Sequence, residues 1–126
     1  MNLGTLIEEL KKYSKTQKVC LISPNNTEFS PTGIFSCYRG YYDELSINIT
    51  PYDPKKTLTV GKFITLLKKQ VGKTYSGYKG GEYIMHECTP CWLSVGSYDN
   101  TQWKVGEVYE NSFDDHDIFI KSFLDD

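Results

Sequence analysis

Arginine and histidine are scarce in this chain and long apolar runs are missing, and each scarcity argues against a class of function. Arg39 is the one arginine among fourteen basic residues, and sixteen acidic residues bring the formal net charge to -2. Binders of long nucleic acid carry a basic excess or stripe, so the composition argues against that class. Scarce arginine beside abundant lysine, asparagine, isoleucine and tyrosine is what an AT-rich genome produces. The position of the exception is still informative, because Arg39 sits inside the densest aromatic cluster of the chain. No stretch approaches the roughly 18 to 20 apolar residues of a membrane span. Met1 to Leu10 also carries Glu8 and Glu9 where a secretory signal needs a continuous apolar run. The expectation is a cytoplasmic protein with no membrane partner. Four cysteines, Cys20, Cys37, Cys88 and Cys91, are too few and too unevenly spaced for a disulfide framework, and a reducing compartment would keep them as thiols.

A chain of 126 residues has room for one domain with one core. Leu3, Leu6, Ile7 and Leu10 recur at helical spacing, with Glu8, Glu9, Lys11 and Lys12 on the other face, which predicts an amphipathic helix within Asn2 to Ser14. A second helix is predicted from an N-cap at Thr59 through Val71, burying Val60, Phe63, Ile64 and Leu67 and stopped by Gly72. Lys18 to Ile22, Ile34 to Tyr38, Leu45 to Ile49, Tyr83 to Met85, Cys91 to Val95 and Gln102 to Tyr109 read as strands. Ile118 to Phe123 reads as a strand or a closing helix. Ser23 to Gly33, rich in proline and asparagine, reads as a loop. The fold class expected is α+β: an antiparallel sheet with two amphipathic helices in a single domain.

Several short motifs invite chemistry that their context does not support. Cys88-Thr89-Pro90-Cys91 has the form of a thiol oxidoreductase motif, but that mechanism needs the first thiol at a helix amino terminus, and Trp92 to Val95 reads as a strand. A structural zinc site takes two close-spaced ligand pairs, and only this one pair is present. Gly72-Lys73-Thr74 imitates the end of a phosphate-binding loop, yet it follows a helix and Leu67 stands where the first glycine belongs. With His86 and His116 the only histidines, and the paired Asp114 and Asp115 in a solvated acidic run, no nucleophile and base constellation stands out. No catalytic residue, metal or cofactor is expected.

Two clusters remain. Tyr38-Arg39-Gly40-Tyr41-Tyr42 combines a guanidinium that can grip phosphate bidentately, a glycine that lets backbone approach a ligand, and rings that can stack on a base. Gly77-Tyr78-Lys79-Gly80-Gly81-Glu82-Tyr83 repeats the kit with an ammonium, three glycines and two rings. The competing reading is a pair of glycine-bearing turns whose tyrosines pack at the rim of the sheet.

The run Ser36-Cys37-Tyr38-Arg39-Gly40-Tyr41-Tyr42-Asp43-Glu44-Leu45, then Thr59-Val60-Gly61 opening a helix, then Gly77 to Met85 and Thr89-Pro90-Cys91-Trp92-Leu93 resembles the phage anti-Thoeris proteins of the first type. The likeness covers residues 36 to 95. It implies a sponge that binds, without cleaving, the cyclic ADP-ribose isomer made by bacterial TIR-domain immune enzymes. It further implies separate sites for cyclic di- or trinucleotides of CBASS immunity, and a homo-oligomer from a dimer up to an assembly such as a hexamer. The place of action would be the cytoplasm of the infected bacterial host. Carried onto this chain, the resemblance matches Arg39 with its tyrosines and Lys79 with its glycines and Tyr83, and residue chemistry places Arg39 and Lys79 on the ligand's phosphates. Tyr38, Tyr41, Tyr42, Tyr78, Tyr83 or Trp92 would hold its base, with Gly80 and Gly81 giving the backbone close approach. An enzyme degrading the same signal, and a protein-interaction inhibitor of a defence enzyme, are the alternatives.

Overall fold

The four apolar residues of the first helix and the four of the second organise the core. The computed structural model describes residues 1–37, 44–76, 81–95, 102–111 and 117–124. Helix α1, Leu3–Leu10, starts at Asn2, whose side-chain oxygen accepts from the Thr5 amide at 2.8 Å, and it buries Leu3, Leu6, Ile7 and Leu10. It is shorter than predicted because its last turn tightens to 3-10 bonds, Lys12 to Glu9 and Tyr13 to Leu10, after which the chain turns away. Helix α2, Val60–Lys68, is capped by Thr59 as expected and buries Val60, Phe63, Ile64 and Leu67. Residues 69–71 again wind as i to i+3 turns. Gly72 then takes φ +82, a left-handed conformation that a side chain would strain, and its amide leaves the helix for the Met85 carbonyl at 2.8 Å.

Nine strands accompany the helices among the described residues. They are β1 (Lys18–Ile22), β2 (Glu28–Cys37), β3 (Leu45–Pro51), β4 (Leu58–Thr59), β5 (Thr74–Ser76), β6 (Glu82–Ile84), β7 (Cys91–Val95), β8 (Gln102–Glu110) and β9 (Ile118–Phe123). The first sheet runs β2-β3-β7-β8-β9-β1-β4, and a further pairing of β1 with β2 closes all but β4 on itself. Six strands, β1, β2, β3, β7, β8 and β9, therefore close into a ring, which leaves no open edge around most of the sheet. Neighbours are antiparallel except β3 with β7 and β1 with β9. Each parallel pair joins strands far apart in sequence, so hairpin reasoning does not reach them. The result is an α+β fold with one core cluster that both helices and the strand ring share.

Two local readings change. Residues 28–33, expected as loop, open β2, because the strand breaks register between Pro31 and Phe35 instead of ending there. A bulge tolerates a proline that cannot donate and a glycine at φ +79, here Gly33. Within it Thr32 replaces lost ladder bonds: its hydroxyl donates to the Asn48 carbonyl at 3.1 Å and accepts from the Ile34 amide at 3.2 Å. The ambiguous Ile118 to Phe123 is a strand, with Ile118, Ile120 and Ser122 buried in alternation. Strands β5 and β6 form a separate antiparallel ribbon, of which the three-residue β5 was too short to be read from pattern.

Candidate functional site

The two tyrosine, glycine and basic segments connect strand ends that the fold brings together. Residues 38–43, with Tyr38, Arg39, Gly40, Tyr41 and Tyr42, and residues 77–80, with Tyr78, Lys79 and Gly80, lie outside the described residues. Their roots are described. Cys37 of β2 faces Leu45 of β3 at one root, and Ser76 of β5 faces Glu82 of β6 at the other. The end of β2 packs against β5. Cys37 is close enough to Tyr75 to add to the effect of burial, which raises the pKa of the Tyr75 hydroxyl above its ordinary value. Glu44, which leads into β3, is buried at 8% exposure, so this rim holds a carboxylate away from bulk water.

Tyr83 and Tyr75 face each other across the ribbon, and both rings are half-buried against the core. Each hydroxyl is engaged within the protein. Tyr83 shares a hydrogen bond of 2.6 Å with the Thr89 hydroxyl, and Tyr75 donates to the side-chain oxygen of Gln70. The His86 ring meets Tyr83 edge-on, with centroids 6.2 Å apart and planes at 88°. Gly81 is exposed and a Cβ there would touch nothing within 4 Å, so its surroundings leave backbone approachable. Trp92 lies on β7 level with Ser46 and Lys104, on the opposite face of the strand from the core residues Cys91 and Leu93, and is half-buried. Of the predicted site residues that are described, Tyr83 and Gly81 thus belong to the ribbon, and Trp92 to the outer face of the strand ring.

Sequence reasoning did not single out Gln70 or Thr89. Both are polar and buried, at 6% and 1% exposure. Gln70 donates to the Leu66 carbonyl at 3.0 Å while accepting from Tyr75. Thr89 accepts from the His86 amide at 3.1 Å through its hydroxyl and from the Leu3 amide at 2.8 Å through its carbonyl. Thr89 stood within the Cys88 to Cys91 motif and opened the Thr89 to Leu93 block of the resemblance, but neither gave it a role.

The motifs set aside on context take the following places in the fold. Cys91 opens a strand and is buried, and burial pushes its thiol up to about 12, the reverse of an activated nucleophile. Cys20 is likewise buried and pushed up to about 12, with Glu28 and Asp117 adding to burial. Among the described residues no three His, Cys, Asp or Glu side chains gather to hold a metal. The Gly72 amide is engaged by Met85, and the Lys73 ammonium lies 5.0 Å from the centroid of the Tyr75 ring. No described helix is long and apolar enough to cross a membrane.

A depression of about 730 Å³ lies beside α1 and is lined by Asn2, Gly4, Thr5, Glu87 and Cys88 among others. It borders a helix amino terminus whose first amides are already occupied: Leu3 by Thr89, Gly4 by Glu87 and Thr5 by Asn2. The usual attraction of such a terminus for anions is spent internally. Compared with family models, curated proteins and solved structures, the chain gives no significant match.

Proposed function

We propose that this protein binds a cyclic nucleotide immune signal and holds it uncleaved, the cyclic ADP-ribose isomer of Thoeris defence being the first candidate and cyclic oligonucleotides of CBASS the second. One observation supports the reading above the others. The end of β2, which leads into the Arg39 segment, packs on β5, which leads into the Lys79 segment. Two cations on separate segments with adjacent roots suit a ligand carrying two phosphates at short spacing, and their tyrosines suit its base. The resemblance of residues 36 to 95 to anti-Thoeris sponges points the same way, and it adds an assembly of several copies acting in the host cytoplasm. A net charge of -2 is compatible, because a small ligand responds to the local field more than to the total.

The test is retention of chemistry as well as binding. Protein incubated with the cyclic ADP-ribose isomer, separated from free ligand and heated should release the molecule intact by mass spectrometry. Recovery of a linear or hydrolysed product would overturn the sponge reading in favour of a degrading enzyme. Arg39→Ala should weaken binding by about 2–5 kcal/mol, the cost typical of truncating one member of a desolvated charge pair. Unchanged affinity would remove Arg39 from the site.

A further inference from the structure

We infer that Gln70 and Thr89 are positioning residues for the ligand rim, acting through the hydroxyls of Tyr75 and Tyr83 to fix the β5–β6 ribbon. This inference rests on the proposed nucleotide binding. A two-stranded ribbon with three residues in each strand is not stable on its own, so its orientation depends on what it is tied to. The register supplies two ties at one level. Tyr75 and Tyr83 are directly opposed, their neighbours Thr74, Ser76, Glu82 and Ile84 are all exposed, and each tyrosine carries its hydroxyl to a different buried polar partner.

The two partners belong to different elements of the core. Gln70 sits on the turn that ends α2 and is itself held by the Leu66 carbonyl. Thr89 sits just before β7 and is held by His86 and by the first turn of α1. Backbone bonds from Gly72 to Met85 and from Met85 to Lys73 fasten only the base of the ribbon. The tyrosine hydroxyls therefore control tilt about that base, one from each strand, and a buried hydroxyl left without its partner has a strong reason to move. Neither Gln70 nor Thr89 needs to touch a ligand for this role.

The experiment pairs amide hydrogen exchange with ligand titration on the full chain. Thr89→Val and Gln70→Leu keep side-chain size while removing the polar partner, and Thr89→Ser restores the hydroxyl. In both deletion variants, exchange at Tyr75, Ser76, Tyr83 and Ile84 should speed about ten-fold, the factor expected from one net hydrogen bond, with β8 and β9 unchanged. Affinity for the cyclic ADP-ribose isomer, measured by calorimetry, should fall by a similar factor, and Thr89→Ser should recover both. If either variant fails to fold, Tyr75→Phe and Tyr83→Phe break the same bonds from the ribbon side. Wild-type exchange in the variants would overturn the anchoring, and faster exchange with unchanged affinity would overturn the positioning role. Failure of the wild-type protein itself to bind the nucleotide would instead overturn the proposed function, while the exchange data would still report on the anchors.

Discussion

The buried thiol of Cys91 should make this protein lose stability in alkali, by an amount that one substitution can isolate. Cys91 is 0% exposed where β7 enters the core, and its thiol makes only a weak 3.9 Å contact with the Thr89 carbonyl. Burial pushes its pKa from 9.0 up to about 12, with the N-terminal ammonium pulling the other way. In the unfolded chain the thiol loses its proton near the ordinary value, whereas in the folded protein it keeps it. Between those two values the folded state binds more protons, so stability falls as pH rises; the loss is negligible well below 9 and complete above 12. For one such thiol the loss between pH 8 and pH 10 is about 1 kcal/mol. Cys91→Ala removes this titration and leaves the tyrosines and lysines, which cancel in the comparison. At pH 8 the variant should be less stable by about 1 kcal/mol, the cost of one deleted core atom. By pH 10 that difference should have closed. Guanidinium denaturation of both proteins at the two pH values, with reductant present, measures it. A gap that stays constant would show that the thiol is not held neutral by burial.

Lys121 clamps the turn between β1 and β2. Its ammonium donates to the carbonyls of Ser23 at 2.7 Å and Pro24 at 3.0 Å, and to the side-chain oxygen of Asn26 at 2.8 Å, where Asn26 itself takes φ +68. Lys121→Met should cost about 2 kcal/mol, the order expected for hydrogen bonds to a charged group, and should speed amide exchange at Thr27 and Glu28 first. Thr59 caps α2, its hydroxyl accepting from the Lys62 amide at 3.3 Å. Thr59→Ala should lower stability by about 1 kcal/mol in thermal or chemical denaturation, whereas Thr59→Asp should retain most of it.

Both helices were legible because their information is local. The spacing of Leu3, Leu6, Ile7 and Leu10 and the Thr59 cap lie within a few turns of one another, and the helices formed where those signals stood. Alternation marked β3, and short apolar runs bounded by turn residues marked β1, β7 and β8, again from local signals. Pro31 and Gly33 misled the reading of β2, since the residues that end a strand in one context make a bulge when a neighbour such as β3 holds the chain on both sides. The two parallel pairings and the closure of β1 on β2 depend on partners distant in sequence, and nothing in a strand's own composition names its neighbour.

The candidate site divides along the same line. Residue chemistry alone picked out a guanidinium, an ammonium, glycines and tyrosines in two segments, because the capacity to hold phosphate belongs to side chains. That β2, which leads into one segment, packs on β5, which leads into the other, was decided by tertiary structure. The tyrosines also divided by context. Tyr83 was counted with the binding residues on type, but its ring lies half-buried and its hydroxyl is bonded to Thr89, a partner that only folding supplies. By itself the sequence determined which side chains the rim carries. Which of its groups are turned inward to hold the frame was decided by the fold, since burial and hydrogen-bond partnership arise between segments far apart along the chain.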